Sequence, residues 1–165
     1  MFYQRKRPPM FEVPSGPRVL RFEGRHLANS SSWRRGASRW IEFDLYKSDA
    51  GKYILARVGV SLVYHSVSCP LVRKYGLHEG DLTELSKNAV SCPECAPGYD
   101  DPLIYPEEDR TWTMVSDDPE AVVAALYKED QSGAKYLTRV AERLLQDAAA
   151  QDAGIDLIYR FEYID

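Results

Sequence analysis

Three cysteines and one histidine stand at spacings that would bring two distant segments of the chain together. His65 and Cys69 are separated by three residues, Cys92 and Cys95 by two, and 22 residues lie between the two pairs. Structural zinc sites use four tetrahedral nitrogen and sulfur ligands, and two ligands a few residues apart on one turn can bind the same ion. The pattern therefore predicts a closed site in which His65, Cys69, Cys92 and Cys95 hold zinc as the cofactor.

Other interpretations of these residues stay open. His78 could replace His65 as the fourth ligand. Without a metal, Cys69 would be a small buried hydrophobic residue and His65 a hydrogen-bonded histidine at the end of a strand. A redox role for the Cys92–Cys95 pair is disfavoured, because thiolates in redox C-x-x-C motifs are acidified at a helix N-terminus, and the segment that follows contains Pro97, Gly98 and Pro102.

The spacing also bears on catalysis. Catalytic zinc usually has three protein ligands and an open position for water, whereas four protein ligands close the site. The deaminase pattern H-x-E is not met, because Ser66 and Val67 follow His65. The paired elements resemble a zinc ribbon or zinc knuckle over about 31 residues, a site type shared by many folds that indicates no particular family. We therefore expect no catalytic residues and no enzyme.

A metal-dependent hydrolase is the least favoured alternative. Glu42, Asp44 and Lys52 could hold Mg²⁺ and polarise a phosphodiester, but the solvated face of an amphipathic strand explains them more simply. The chain contains no phosphate-binding G-x-x-x-x-G-K-[ST] loop, no dinucleotide-binding G-x-G-x-x-G and no nucleophile elbow G-x-S-x-G.

The sequence predicts a cytoplasmic protein with no membrane partner. An odd number of cysteines prevents a complete disulfide framework and suits a reducing compartment. No apolar run approaches the ~18 residues that a membrane helix needs, and the basic N-terminus is not followed by the apolar segment of a signal peptide.

The distribution of apolar residues predicts an α+β fold in a single domain over 1–165. Trp40 to Tyr46 alternates polar and apolar residues, and the turn Lys47–Gly51 would join this strand to a partner, giving a core antiparallel hairpin over about 39–65. The flanking predictions are an extended basic arm over 1–17, a short strand over 18–22, a loop over 24–36, a zinc-ribbon-like insert over 65–99, and an acidic helical part over 116–165 with a helical pair and a terminal strand over 155–164.

Charge is distributed unevenly along the chain. The formal net charge is −4, yet residues 1–40 carry +7 and residues 100–165 carry −10. Arginines beside aromatic residues suit phosphate contacts combined with base stacking.

The predicted function is a non-enzymatic, zinc-stabilised binding module that acts on nucleic acid or within a nucleoprotein assembly. The alternative is a protein-interaction or assembly subunit that docks a partner or a second copy through its charge asymmetry. The candidate nucleic-acid-binding residues are Arg5, Lys6, Arg7, Arg25, Trp33, Arg34 and Arg35.

Overall fold

The structure is a computed structural model that describes residues 9–95 and 103–161. Both strands and helices are present in this part of the chain. The strands are β1 (Met10–Ser15), β2 (Arg18–Ser31), β3 (Arg39–Ser48), β4 (Tyr53–Ser61), β5 (Val63–Ser66), β6 (Val90–Ser91), β7 (Ile104–Pro106), β8 (Arg110–Ser116), β9 (Lys128–Glu129) and β10 (Lys135–Tyr136). The helices are α1 (Pro70–Lys74), α2 (Pro119–Leu126), α3 (Arg139–Gln151) and α4 (Ala153–Arg160), and a short 3-10 helix spans Leu82–Glu84.

Contacts divide the chain into two compact units. The first unit is composed of Met1–Ser32, Glu42–Val58 and Thr111–Asp165. The second unit is composed of Trp33–Ile41 and Gly59–Arg110. Among the described residues, no helix is both long and apolar enough to cross a membrane.

A five-stranded sheet in the order β1-β2-β3-β4-β8 contains the predicted hairpin. The alternation in β3 is confirmed, since Phe43 and Leu45 are buried while Glu42 and Asp44 are only partly so. β2 pairs antiparallel with both β1 and β3. The sheet curls so that β1 approaches β8: the Gly16 N–H donates to Thr111 Oγ1 at 2.7 Å.

The C-terminal helices of the first unit each begin after a capping side chain. Asp118 accepts from the Glu120 N–H, with Pro119 in the first turn of α2. Thr138 caps α3 by accepting from the Ala141 N–H. The predicted apolar stripe of α3 is buried at Val140, Ala141, Leu144, Leu145 and Ala148. The helix thus packs its stripe within the first unit, where it contacts β2 and α4.

The predicted terminal strand over 155–164 is wrong for its described part. Residues 153–160 form α4, because the Asp152 side chain accepts from the Ile155 N–H at 3.0 Å and so caps a helix. Ile155 is buried and Leu157 is exposed; an alternating strand would place these two residues on the same face, so their burial fits the helix of two turns. Residues 162–164 lie outside the described residues.

Two N-terminal predictions also need correction. The arm over 1–17 is a paired strand at Met10–Ser15, whose Pro14 is accommodated because a strand at the end of the sheet has fewer ladder bonds to make. Residues 1–8 lie outside the described residues. The loop predicted over 24–36 is strand as far as Ser31, because the Ser30 hydroxyl donates to the Val140 carbonyl at 2.7 Å and is buried with a partner.

The second unit is built around β5. This strand pairs in parallel with β6 and antiparallel with β7. α1 follows β5 and ends at Lys74; Gly76, two residues later, has a φ of +60°, which suits the left-handed conformation after a helix. The described part of the predicted insert over 65–99 is residues 65–95, and it belongs to this unit.

Candidate metal centre

Strand pairing brings the two predicted ligand pairs together. His65 lies on β5, and Cys69 is the residue before α1, with Pro70 at the first helical position. Cys92 follows β6 directly. Because β5 and β6 run in parallel and the Cys92 N–H donates to the Tyr64 carbonyl at 2.8 Å, Cys92 lies beside His65. Cys95 then follows on a tight turn, where its N–H donates to the Cys92 carbonyl.

The four side chains converge. One ligand atom from each of His65, Cys69, Cys92 and Cys95 can be chosen so that all lie within 4.8 Å of one another. His65 Nδ1 lies 3.4 Å from Cys69 Sγ. A tetrahedral zinc ion with bonds of about 2.0 to 2.3 Å separates its ligand atoms by roughly 3.5 to 3.8 Å. The cluster is therefore close to the size that a single zinc ion requires.

The sulfur atoms differ in their surroundings. Burial raises the pKa of Cys69 to about 11, and a backbone hydrogen bond from Leu71 offsets only part of this effect. Burial also acts to raise the pKa of Cys95, but hydrogen bonds led by the Ser66 backbone N–H, at 3.4 Å, lower it overall. Cys92 Sγ accepts from the Glu94 N–H at 3.4 Å. Backbone amides that point at sulfur stabilise thiolates, the form that binds metal.

A glutamate that the sequence patterns did not single out completes the surroundings of the histidine. Glu107 accepts a hydrogen bond at 2.8 Å from Nε2 of His65, which is fully buried. A hydrogen bond from Arg39 lowers the pKa of Glu107 to about 2, against the opposing effect of burial. Nε2 of His65 therefore faces a carboxylate, and Nδ1 faces Cys69.

The other residues considered as metal ligands are not members of the His65 cluster. Within the described residues, the one group of three or more His, Cys, Asp or Glu side chains placed to hold a metal is the His65 cluster, and it does not include His78, which is exposed. Asp44 instead accepts from His26 at 2.8 Å and from Asn29 at 3.0 Å. Lys52 is exposed to solvent.

The candidate nucleic-acid-binding residues have three different placements. Arg5, Lys6 and Arg7 lie outside the described residues. Arg25 donates to the Gln151 carbonyl at 3.0 Å and to the Asp152 carboxylate at 3.3 Å, so it already has protein partners in the first unit. Arg25 is nevertheless exposed, as are Trp33, Arg34 and Arg35, which lie in the second unit between β2 and β3.

The cluster could hold a metal ion, because it offers three thiols and one imidazole within 4.8 Å of one another. The imidazole also has a carboxylate partner, Glu107, at 2.8 Å. Compared with known proteins, the chain matches no protein-family model, no curated protein sequence and no solved structure.

Proposed function

We propose that the chain is a non-enzymatic binding module stabilised by a structural zinc ion. The observation that supports this proposal is the convergence of His65, Cys69, Cys92 and Cys95 within 4.8 Å, with all but Cys95 buried. Four protein ligands leave no position at which a metal-bound water could act as a nucleophile. The ion would therefore serve folding and not catalysis.

The second unit contains a buried hydrophobic cluster at the candidate site. This cluster is small: Val63, Cys69 and Cys92 are packed against the partly buried Leu71, Val72 and Cys95. Structural zinc contributes about 10–16 kcal/mol in small zinc peptides, where metal binding and folding are one process. Zinc would connect β5, the start of α1 and the Cys92–Cys95 turn. Because zinc binds reduced cysteines, such a site would require a reducing compartment.

The first test of this proposal is metal content and thermal stability of the purified full chain. We expect one zinc per chain by elemental analysis. Cys92→Ser and Cys95→Ser should each release the zinc and lower the melting temperature. Glu94→Gln is the matched control, because Glu94 lies in the same turn with an exposed side chain, and it should keep both zinc and stability. Zinc retained in the cysteine variants, or an unchanged melting curve, would contradict the proposal.

Nucleic acid is the partner that we propose for the module. Trp33 is 56% exposed and stands next to the exposed Arg34 and Arg35. A guanidinium pair next to an aromatic ring suits phosphate contacts with base stacking. Arg5, Lys6 and Arg7 would add to the same interaction. The acidic C-terminal third repels phosphates, and this favours the competing proposal of a basic protein partner or a second copy of the chain.

A salt titration distinguishes these partners. We expect the zinc-loaded protein to bind DNA or RNA with an affinity that falls log-linearly with salt, and Arg34→Glu with Arg35→Glu to weaken binding and lower the slope by about 2. The control reverses two exposed charges of the β9–β10 hairpin, Lys128→Glu and Lys135→Glu. Equal affinity of the two double variants for nucleic acid would show that Arg34 and Arg35 do not contribute to binding. No binding at low salt would favour the protein partner.

A further inference from the structure

Glu107 is the centre of a hydrogen-bonded group on the side of His65 that faces away from the cysteines. We propose that Glu107 is a positioning residue for the metal, which holds His65 in the one tautomer that presents Nδ1, and not Nε2, to zinc. This inference rests on the proposed zinc site and deepens it, because it names the ligating atom and the residue that selects it.

The histidine has one hydrogen-bonding arrangement open to it. Its Nε2 lies 2.8 Å from Glu107 Oε1, and its Nδ1 lies 3.4 Å from Cys69 Sγ. Since His65 has no exposed surface, water cannot take the place of either partner. Both oxygens of Glu107 already accept from Arg39, so this carboxylate acts as an acceptor and matches a proton on Nε2. Rotating the ring by 180° about its bond to Cβ would move both nitrogens away from these partners.

The carboxylate is itself held by several donors. The Ser61 hydroxyl donates to Oε2 at 2.6 Å, and Arg39 Nε donates to the same oxygen at 2.9 Å. A second guanidinium nitrogen of Arg39 donates to Oε1. The backbone N–H of Glu107 donates to the Val63 carbonyl at 2.9 Å, which attaches the residue to β5. Glu107 therefore has the restricted position that an orienting group needs.

Glutamine is an informative replacement at this position. Both carboxylate oxygens of Glu107 accept from Arg39. Whichever way the amide introduced by Glu107→Gln turned, its NH₂ group would face a donor, and the hydrogen bonds around His65 would have to rearrange. Residues that orient zinc-binding histidines typically change metal affinity 10- to 100-fold when they are mutated.

The first experiment measures zinc affinity of the full chain by competition with a chelator of known affinity. We expect Glu107→Gln to weaken zinc binding about 10- to 100-fold. Glu108→Gln removes the same charge from the adjacent exposed residue and should leave the affinity unchanged. Equal affinity of Glu107→Gln and wild type would overturn the inference. A wild-type chain that binds no zinc would instead overturn the proposed function.

A second measurement reads the tautomer directly and does not depend on whether the variant folds. Long-range ¹H–¹⁵N correlation spectra of the zinc-loaded wild type should show His65 protonated at Nε2 and metal-bound at Nδ1. If Glu107 only stabilised the fold, zinc could bind either ring nitrogen of His65. Zinc found on Nε2 would refute the inference while leaving the zinc site itself in place.

Discussion

Two carboxylates, the buried Asp152 in the first unit and the partly buried Glu107 in the second, are each held by several hydrogen-bond donors. Asp152 is 4% exposed, yet it accepts from Tyr53 Oη at 2.6 Å, from Lys47 Nζ at 2.7 Å and from the Ile155 N–H at 3.0 Å. Burying a charge is costly unless it is paired and hydrogen-bonded. Asp152 meets both conditions while it caps α4, so one side chain connects β3, β4 and the last helix within the first unit.

Replacing this carboxylate should destabilise the protein. Asp152→Asn removes the charge that Lys47 and Arg25 face, and we expect the free energy of unfolding to fall by about 2–3 kcal/mol, since hydrogen bonds to charged groups are each worth ~1.5–3 kcal/mol. Equilibrium denaturation measures the change. Asp156→Asn is the control, because its carboxylate pairs with Arg160 on the surface of α4, where such pairs contribute under about 1 kcal/mol. Equal effects of the two variants would contradict this role for Asp152.

The same substitution has a pH dependence with a definite sign. Burial alone would raise the pKa of Asp152, but the hydrogen bonds from Lys47, Tyr53 and Ile155 lower it below 3.8. The stability that this group contributes is therefore complete above the unfolded pKa of 3.8 and is lost as the pH falls through the lower folded pKa. We expect the difference in the free energy of unfolding between wild type and Asp152→Asn to be constant near neutral pH and to become smaller below pH 3.8. A difference in unfolding free energy that became larger in acid would be inconsistent with a lowered pKa of Asp152.

At the scale of helices and strands, the sequence correctly predicted the features that depend on residues close to one another in the chain. The alternation of β3, the Asp118 cap with Pro119, and the stripe of α3 could be recognised because each depends on residues within one or two turns. The strand prediction over 155–164 was wrong in its described part for the same reason. An alternating apolar pattern of eight to ten residues fits both a strand and a short helix. The capping residue Asp152, which favours the helix, lies outside this pattern. The serines of β2 looked like a loop because the partner of Ser30 is 110 residues away.

The candidate site shows the same division. The four metal-binding residues were predictable because zinc demands a recognisable set of ligands at short spacings. Glu107 was not, because one glutamate in an acidic stretch has no pattern, and its contact with His65 spans 42 residues. The ion pairs of Arg25 and Arg39 could not be predicted either, because their partners are separated from them by 127 and 68 residues in the sequence. Long-range pairing thus gives these two arginines protein partners that composition alone does not reveal.

At the scale of the whole molecule, the two units have cores of different kinds. The first unit buries large aliphatic side chains completely, among them Leu45, Leu55, Leu144 and Leu145. The second has the small cluster of Val63, Cys69 and Cys92. Aliphatic burial contributes about 25 cal/mol per Å² without any ligand, whereas a cluster of thiols that holds zinc, as we propose here, would depend on the metal. Zinc removal should therefore act on the second unit first.

Hydrogen exchange followed by mass spectrometry or NMR tests this expectation. After zinc is removed by a chelator under reducing conditions, we expect the Cys92 amide, bonded to the Tyr64 carbonyl, and the other amides of residues 63–66 and 90–95 to lose protection. The amides of Leu144 and Leu145 in α3 should remain protected, and added zinc should restore the rest. Uniform loss of protection in both units would show instead that they unfold cooperatively as one domain, with zinc contributing to the stability of the whole chain.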